Sequence, residues 1–329
     1  MSNLLTHSRL RTWRDCKRKH HLMYGEGWRP VVVADALSFG RLWHEGMEAW
    51  SKADAESALD AALTTVRGKA RDAYVQVVVE ELLTGYEARW APDRDHYDVL
   101  AIEQTFVIPQ VNPETGAASR TWLLAGAVDG IMIERSTGRA LLLERKTTSD
   151  EIVDPTAPYW ERLIVDGQVS QYYVGAEGLG LQPEGCLYDV VLKPRLRPQR
   201  ATPEEKRRRK KDGTYYANVR LEDETPEAFR LRVREAIQAE PERYFQRSEV
   251  PRLQSDLRDY LQDAWMEGKT MREAERLGYQ PRNPESCHRF GACPFWPVCG
   301  HAVRPEDRPD LYERVEDVHP ELDLEGAPE

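Results

Sequence analysis

The chain has 329 residues, of which 40% are hydrophobic and 31% are charged, enough to form one large domain or two moderate ones. No stretch approaches the roughly 18 consecutive apolar residues of a transmembrane helix, and the N-terminal segment lacks the apolar core of a secretion signal. The net charge of −10 is uneven, because residues 300–329 alone carry −7, so a polyanionic partner is not excluded.

Helices are predicted for the first third of the chain. Residues 1–30 are expected to form a short helix with basic and aromatic side chains, and apolar residues at helical spacing predict helices over 36–50 and 54–90. The apolar positions expected to contribute to the core from the last of these segments are Leu59, Leu63, Val66, Val78, Leu82 and Tyr86. Residues 1–95 are therefore expected to form an N-terminal helical region.

The pattern changes to strands after residue 96. Apolar runs bounded by the turn sequences NPETG and RSTG predict strands over 99–111, 121–134 and 139–146. A helix over 158–179 and a fourth strand over 186–194 follow. The residues expected to stack along that helix at i, i+4 intervals are Trp160, Ile164, Gln168, Tyr172 and Ala176. Residues 96–195 thus carry three strands, a helix and a strand, and we expect them to form the core of the protein.

The remaining chain divides into three segments. Residues 196–224 are interpreted as an insertion that contains the basic run KRRRKK at 206–211 and an Asp-Gly turn. Residues 225–300 are predicted to be helical up to residue 278 and to end in a segment with three cysteines. Residues 301–329 form an acidic, proline-containing tail that we expect to be disordered at least in part.

Three charged residues stand out in the predicted hairpin of the second and third strands. With a turn centred near Thr137, Asp129 lies opposite Arg145 and within one residue of Glu144. Glu144 and Lys146 are two positions apart, so they share one face of their strand. Two carboxylates this close repel each other unless a proton or a cation lies between them, and Mg²⁺ prefers such oxygen ligands. The alternative is a plain ion pair of Lys146 with Asp129 or Glu144 at the edge of the sheet.

Four motifs of the sequence, in the order in which the chain carries them, resemble those of one known family. GAVDGI, followed by ERK fifteen positions after its aspartate, resembles the bipartite motif of the PD-(D/E)XK nuclease superfamily, and the predicted strand order is similar to the core of that superfamily. GRLWHEGMEAW resembles the N-terminal helix of its RecB-like exonuclease branch, and QVSQY resembles the Q-x-x-x-Y motif of that branch. The resemblance implies an α/β fold with a restriction-endonuclease-like core, in which helices flank a central mixed sheet, and with helical additions at both ends.

The resemblance also implies roles for individual residues. A Mg²⁺ or Mn²⁺ ion would be bound by His44, Asp129, Glu144 and the carbonyl of Arg145. Lys146 would be the catalytic lysine, while Gln168 and Tyr172 would orient the active site or contact the DNA backbone. Glu48, one helical turn after His44, is a weaker candidate for supporting the metal ligands. Without the resemblance, a lone histidine such as His44 in an amphipathic helix is usually an ordinary core or surface residue. Gln168 and Tyr172 could then be a polar pair at a helix–sheet contact.

Five cysteines, an odd number, argue against a disulfide framework and indicate the reduced thiols of a cytoplasmic protein. Cys287, Cys293 and Cys299 follow the pattern C-x5-C-x5-C and need a fourth partner, for which Cys16 is the candidate. Cys186 lies within a strand pattern and is expected to be an ordinary buried thiol. Four thiolates suit either tetrahedral zinc or an iron–sulfur cluster, and the spacing leaves both open.

One early and three late cysteines around such a core resemble the iron–sulfur nucleases, which include AddB-type nuclease domains and the exonucleases of CRISPR adaptation. The first gap between the late cysteines is five residues here, whereas that family usually has two. The resemblance favours a 4Fe–4S cluster over zinc. Such a cluster would have a structural role, stapling the N-terminal segment to the C-terminal end of the chain.

Two basic segments are candidates for DNA contact. The first consists of Trp13, Arg14, Lys17, Arg18, Lys19, His20 and His21. The second is the run at 206–211, which is followed by Tyr215 and Tyr216. Positive charge tracks a phosphate backbone, and aromatic side chains stack on unpaired bases. The basic run is equally explained as a solvated loop, and the two tyrosines as residues that pack on the sheet.

These observations predict a metal-dependent DNA exonuclease that acts on single-stranded DNA or free DNA ends in the cytoplasm, without a membrane partner. Roles in recombination, repair, phage biology or CRISPR adaptation, with a corresponding protein partner, are all compatible with the sequence. Two alternatives are a catalytically inactive iron–sulfur protein that binds DNA, and a zinc-stapled endonuclease. A complete set of His44, Asp129, Glu144 and Lys146 argues against the inactive alternative.

Overall fold

A six-stranded mixed sheet flanked by helices forms the centre of the computed structural model, which describes residues 3–31, 35–289 and 291–322. The strands are β1 (Leu4–Leu5), β2 (Trp28–Pro30), β3 (Tyr97–Val111), β4 (Ala118–Glu134), β5 (Ala140–Thr148), β6 (Gly185–Leu192), β7 (Phe245–Glu249) and β8 (Tyr312–Arg314). The helices are α1 (His7–Asp15), α2 (Lys17–His20), α3 (Asp35–Lys52), α4 (Ala58–Lys69), α5 (Ala73–Trp90), α6 (Pro158–Glu161), α7 (Gly167–Gly178), α8 (Pro226–Ala239), α9 (Pro241–Tyr244), α10 (Gln254–Leu277) and α11 (Trp296–Cys299).

The sheet is organised around β4. One edge of β4 pairs antiparallel with β3 along its length, while the other edge pairs with β1 near Leu123 and with β5 near Gly130. β5 then pairs in parallel with β6, and β6 pairs antiparallel with β7. α7 lies in the crossover between β5 and β6, because parallel strands need a long connection that is usually helical. The predicted mixed sheet with flanking helices is confirmed.

β5 is buried along most of its length because helices and neighbouring strands cover it. Leu141, Leu142 and Leu143 are at most 4% exposed, as expected for a continuous apolar strand in a covered sheet. α7 is tied to the sheet by a polar side chain as well: the buried Gln171 amide donates to the backbone carbonyls of Leu5 and Ala125, both at 2.9 Å. This pair of hydrogen bonds satisfies carbonyls that would otherwise be buried without donors.

The main apolar core draws on both ends of the chain, from Leu10 in α1 to Met271 in α10. Of the residues predicted to contribute to it from 54–90, Val66, Leu82 and Tyr86 are fully buried, and the other three pack against the core while partly exposed. A second, smaller cluster of Leu22, Trp28, Phe295 and Tyr312 packs the N-terminal segment against the C-terminal segment. The two ends of the chain are therefore joined by apolar packing.

The helix predicted over 158–179 is in fact interrupted. α6 ends after one turn, a 3₁₀ turn spans Arg162–Val165, and α7 begins after Asp166. The Asp166 carboxylate accepts from the backbone N–H groups of Gln168 and Val169, so it caps a new helix instead of continuing the previous one. Ile164, predicted to stack in the interior of a single helix, is consequently 69% exposed.

Three short strands lie where helices were predicted. β1 and β2 fall within 1–30, and β7 interrupts the helical pattern predicted for 225–278. Phe245 is fully buried in β7, and the strand exists because its backbone completes the edge of β6. Strands of two to five residues carry too little periodicity to be distinguished from a helix by pattern alone.

Residues 301–322 of the segment predicted to be a partly disordered tail have defined contacts. β8 pairs antiparallel with β2, and both His319 and Leu322 are buried. The part of that prediction that concerns 323–329 lies outside the described residues. None of the helices in the described ranges combines the length and the apolar character needed to cross a membrane.

Close packing of α7 on β3 makes a small residue necessary at Gly175. A Cβ atom there would lie 2.5 to 2.6 Å from the ring of Phe106, whereas a Cβ at Gly68 in α4 would meet no atom within 4 Å. We expect Gly175→Ala to lower the free energy of unfolding by about 1–3 kcal/mol, because Phe106 must shift. The matched control Gly68→Ala is expected to raise it by about 0.5–1 kcal/mol. Urea denaturation of both variants checks this; equal effects would contradict the packing.

Candidate active site

Glu144 and Lys146 lie near the C-terminal end of β5 and, as predicted, share one face of the strand. The Lys146 Nζ atom forms an ion pair with Oε1 of Glu144. The Glu144 side chain is only 1% exposed, and apart from this ion pair neither carboxylate oxygen has a hydrogen-bond partner among the described residues. Desolvation of this carboxylate costs free energy that hydrogen bonds do not offset. Its oxygens can therefore still accept hydrogen bonds from, or coordinate, another group.

The carboxylate of Asp129 connects β4 to β5 and to α3. Its Oδ2 atom accepts a hydrogen bond of 2.6 Å from the backbone N–H of Arg145 and lies 3.7 Å from Nδ1 of His44. The observed register pairs Gly130 with Leu143, so the predicted register of the hairpin was wrong by one residue. The hydrogen bond to Arg145 nevertheless brings Asp129 to the part of β5 that carries Glu144, as predicted.

The charges of these residues influence one another strongly. Burial raises the pKa of Glu144 to about 8 despite the opposing charge of Lys146, and Asp129 adds to the rise. Burial disfavours the charge of Lys146, but Glu144 and Asp129 outweigh that effect and raise its pKa above the ordinary value. Burial also lowers the pKa of His44, against the opposing influence of Asp129, so the imidazole is neutral at pH 7. A neutral imidazole is the form that binds metal ions.

Gln168 and Tyr172 lie one turn apart on α7 and contact each other. The amide of Gln168 donates a hydrogen bond of 2.6 Å to the phenol oxygen of Tyr172. Burial, reinforced by Glu144 and Asp129, raises the pKa of Tyr172 well above its usual value, so the phenol stays protonated. The pair is therefore held within the electrostatic reach of the two carboxylates.

The side chains of Glu48 and Arg145 have other partners, while the role predicted for the Arg145 carbonyl remains a prediction. Glu48 forms an i, i+4 ion pair of 2.5 Å with Lys52, and it makes no ion pair with His44 among the described residues. The side chain of Arg145 donates to Ser51 at 2.8 Å, on the face of β5 opposite to that of Glu144.

Glu103 is a site residue that sequence reasoning missed. The β3–β4 register pairs Ile102 with Gly130 and Gln104 with Val128, which places Glu103 across from Asp129. Its backbone has φ of +52°, a left-handed conformation that is uncommon for a residue other than glycine. Burial raises the pKa of Glu103 to about 8, with further contributions from Asp129 and Glu48. The available signal was a glutamate in the middle of an apolar strand, VLAIEQTFV.

His7 and Asp166 also border the site, and no motif pointed to them. Burial lowers the pKa of His7 to about 4, partly opposed by the charge of Asp166 and reinforced by Lys146. His7 is the first residue of α1 and Asp166 caps α7, so two helix N-termini approach the catalytic lysine candidate. Their proximity results from tertiary packing, which the local sequence does not encode.

The donor chemistry of these residues fits a divalent metal ion. Among residues 3–31, 35–289 and 291–322, no three His, Cys, Asp or Glu side chains are already arranged as a metal-binding group. Two buried carboxylates with a neutral imidazole nearby are, however, a set of ligands that Mg²⁺ or Mn²⁺ accepts, and the Glu144 oxygens have unused acceptor capacity. Asp129, Glu144 and His44 are the residues that would hold such an ion.

Four of the five cysteines line one cavity of about 120 Å³ between the two ends of the chain. They are the four predicted to act together, Cys16, Cys287, Cys293 and Cys299. Burial raises the pKa of both Cys293 and Cys299, and the neighbouring thiols contribute to the rise. Thiols that share a cavity in this way become thiolates readily only when a cation compensates their charge.

Hydrogen bonds between the two ends of the chain hold this cysteine cavity together. The Asn283 N–H donates to the Cys16 sulfur at 3.4 Å, and the Asn283 side chain donates to the Asp15 carbonyl at 2.8 Å. Ser286 also donates to the Asp15 carbonyl, at 2.9 Å. Cys186, by contrast, is fully buried in β6 outside the cavity, in agreement with the prediction of an ordinary thiol.

The two basic segments differ in their availability to a ligand. In the first, Trp13 and His20 are buried and Arg14 forms a bidentate pair with Glu267, so the aromatic residues cannot stack on bases. The run at 206–211 is exposed at five of its six positions. Within this run, the Arg209 guanidinium lies over the ring of Tyr215, at 4.1 Å from the centre of the ring. The second segment is therefore the better candidate for contact with nucleic acid.

The sequence profile of the PD-(D/E)XK nuclease superfamily matches residues 4–300. The match includes the whole sheet, both candidate carboxylates and all four cavity cysteines. The chain therefore belongs to the PD-(D/E)XK nuclease superfamily, whose members are metal-dependent nucleases, and this membership implies a nuclease that acts on DNA. No curated protein matches the chain.

The raised pKa values of Glu103 and Glu144 make the metal-free protein sensitive to pH. Each acid is more easily ionised in the unfolded chain, where its pKa is near 4.5, than in the folded protein, where it is about 8. Their contribution to the free energy of unfolding is therefore complete below pH 4.5 and is lost as the pH rises to about 8.

Urea denaturation in EDTA at several pH values between about 5 and about 8.5 measures this loss. We expect Glu103→Gln to reduce the loss of stability, because the glutamine cannot ionise. The control Glu235→Gln changes an exposed glutamate on α8 and should leave the wild-type slope intact. If the free energy of unfolding falls equally steeply with pH in wild type and in Glu103→Gln, the folded protein does not disfavour the charge of Glu103.

Proposed function

We propose that this chain is a metal-dependent DNA exonuclease of the RecB-like kind, which hydrolyses phosphodiester bonds at single-stranded or free DNA ends. The observation that carries the proposal is the meeting of Asp129, Glu144 and Lys146 beside His44, from three separate elements of the fold. Superfamily membership supplies the reaction class. The RecB-like assignment rests on the resemblance of the His44 helix and of the Gln168–Tyr172 pair to the motifs of that branch.

Each residue of the candidate site would have its own role in phosphodiester hydrolysis. A bound divalent ion would lower the pKa of a water molecule and neutralise charge on the scissile phosphate. Asp129 and Glu144 would hold that ion, and neutral His44 has a lone pair to offer it. Lys146, kept protonated by the two acids, would stabilise the negative charge that develops on the phosphate oxygens. Tyr172 and Gln168 would orient the groups at the site.

The four cavity cysteines would bind a structural 4Fe–4S cluster. In support, thiols from both ends of the chain share one cavity, and the surrounding hydrogen bonds fix the backbone of α1 to the loop after α10. Zinc has the same requirement for four thiolates and is the lesser alternative. The exposed basic run at 206–211 would contact the phosphate backbone of the bound strand.

Nuclease activity is tested with an end-labelled single-stranded oligonucleotide in the presence of Mg²⁺ or Mn²⁺. We expect Lys146→Ala to lower the rate of degradation about 100-fold or more, since the charge that stabilises the transition state is lost. Lys269→Ala, on the exposed face of α10, is the matched control and should retain the wild-type rate. Equal degradation by wild type and Lys146→Ala would contradict the assigned chemistry, and no degradation by wild type would favour the inactive DNA-binding alternative.

The cutting mode is tested with circular single-stranded DNA of the same composition. An exonuclease degrades the linear strand and leaves the circle intact, because the circle has no end. Cleavage of the circle at a rate similar to that of the linear strand would identify an endonuclease instead. The distribution of labelled products from the linear strand gives the direction of degradation in the same assay.

The identity of the group bound by the cysteines is tested by metal analysis of protein purified without oxygen. We expect iron and acid-labile sulfide, with at least a severalfold loss of both in Cys299→Ala. Cys186→Ala removes a thiol outside the cavity and should keep the metal content. Zinc without sulfide would establish the alternative, and absence of both from wild type would show that the cavity holds neither.

A further inference from the structure

A second cavity, of about 270 Å³, lies on the face of β5 opposite to Glu144, between the sheet and the C-terminal ends of α3 and α5. Its floor is apolar and includes Leu143 and Leu187. The aromatic side chains of Trp50, Trp90 and Tyr97 line its walls. The volume is close to the lower limit of about 300 Å³ for pockets that bind small molecules. The cavity is separate from the proposed active site, because β5 lies between them.

Arg145 brings to this cavity a positive charge that has no ion-pair partner among the described residues. The residue is 4% exposed and lines the cavity, yet it forms no ion pair with any carboxylate in the part of the chain that is described. One nitrogen donates to the Ser51 hydroxyl at 2.8 Å, and Nε has no partner among the described residues. A buried charge costs free energy unless it is paired, so the arrangement favours an acceptor-bearing or anionic ligand.

The other charged residues of the cavity do not cancel this charge. Arg247 is fully engaged, with Asp93 and Asp189 each at 3.0 Å and with the Tyr86 hydroxyl at 2.9 Å. Asp93 is the one carboxylate among the residues that line the cavity, and it is committed to Arg247.

Arg94 adds a second guanidinium group to the cavity, and one of its nitrogens donates to the Trp50 carbonyl at 3.4 Å. It lies 3.8 Å from the Glu87 carboxylate, which also accepts from the Trp50 indole, while its own Nε has no partner within the described ranges. Arg94 and Arg145 therefore each have a buried Nε–H group that no acceptor in the described part of the protein satisfies.

Flat groups stack around the cavity. The Arg94 guanidinium lies 3.5 Å from the centre of the Trp50 ring, and Arg247 lies 4.1 Å from the centre of a Trp90 ring. The Trp90 indole N–H has no acceptor among the described residues. Guanidinium planes and indole rings are the surfaces on which heteroaromatic rings stack most favourably.

We propose that this cavity binds a nucleotide unit, with its base stacked between the aromatic walls and its phosphate paired with Arg145 and Arg94. The base supplies a flat ring for the aromatic walls, and the phosphate supplies a negative charge for Arg145, which has no ion-pair partner among the described residues. The occupant is either a free mononucleotide or one unit of a DNA strand, since both present the same chemistry. The proposal does not depend on nuclease activity.

An occupied cavity would act directly on the proposed metal site. The backbone N–H of Arg145 donates to Asp129, while its side chain lines the cavity on the other side of the sheet. A ligand that fixes the Arg145 side chain therefore restricts the same residue whose backbone orients an active-site carboxylate. The cavity connects nucleotide binding to the geometry of Asp129 through one residue.

Isothermal titration of the full-length protein in EDTA tests the proposal with three probes: dAMP, deoxyadenosine and inorganic phosphate. We expect dAMP to bind about tenfold or more tightly than either fragment, since only dAMP uses both the rings and the guanidinium groups. Val99→Trp should weaken dAMP binding about tenfold or more, because Val99 lines the cavity, is 54% exposed, and is replaced by a side chain that fills its mouth. Leu100→Trp is the matched control at the next position, equally exposed at 55% but outside the cavity, and should bind dAMP as wild type does.

Further variants separate this cavity from the active site. Lys146→Ala should leave dAMP affinity unchanged, whereas Arg94→Gln should weaken it about tenfold even if Val99→Trp folds poorly. A dinucleotide that binds more tightly than dAMP, and that is equally sensitive to Val99→Trp, identifies a strand as the occupant; equal affinity identifies the free nucleotide. The proposal is overturned if dAMP does not bind wild type, or if Val99→Trp and Arg94→Gln bind it as wild type does.

Discussion

The proposed chemistry depends on carboxylates that the sheet holds close together and largely away from water. Asp129 and Glu144 come from adjacent strands, and Glu103 faces Asp129 from a third strand, so several acids meet at one place in the sheet. Lys146 is the cation that makes direct contact with this group, and its single charge does not neutralise all of them. Burial is the main cause of the raised pKa values of Glu144 and Glu103, and repulsion from Asp129 adds to it, so the site favours the binding of a cation or a proton. Chemistry at this site follows from that imbalance.

The arrangement of the sheet makes the proximity possible. β4 is long enough to pair with β1 at its beginning and with β5 near its end, so Asp129 lies where the chain passes from one partner to the next. α3 supplies His44 from one direction, and α7, capped by Asp166, supplies Gln168 and Tyr172 from another. Apolar packing fixes these strands and helices relative to one another. The polar groups of the candidate site lie where β1 and β5 separate along β4.

Much of the fold and of the candidate site could be predicted from the sequence. The periodic segments were long, and the site was indicated by several motifs together. The helix that carries His44, the three strands of the hairpins and the approach of Asp129 to Glu144 all followed from periodicity and turn residues. The register was wrong by one residue, since counting from a turn fixes pairing only approximately. The four cysteines that line one cavity were also identified together, although they lie far apart in the chain.

What the sequence did not reveal depends on tertiary contacts. β7 is a strand because β6 offers it an edge, and His7 approaches the site because α1 packs against α7 and α10. Glu103 was missed because its left-handed backbone and its position across from Asp129 come from strand pairing. Trp13 and His20 were expected near DNA, but they are buried, because the amphipathic N-terminal segment uses them for its own packing. Local pattern does not specify such relations.

The joining of the two chain ends has a consequence for how the protein is made. Asp15 receives hydrogen bonds from Asn283 and Ser286, and Arg14 pairs with Glu267, so these polar contacts of the first helix join residues 253 to 271 positions apart in the sequence. Contacts across such long sequence separations form late and slow the folding of the whole chain. During synthesis these polar groups therefore remain without their native partners until residues 267–286 have been made, and incomplete tertiary packing of this kind favours misassembly.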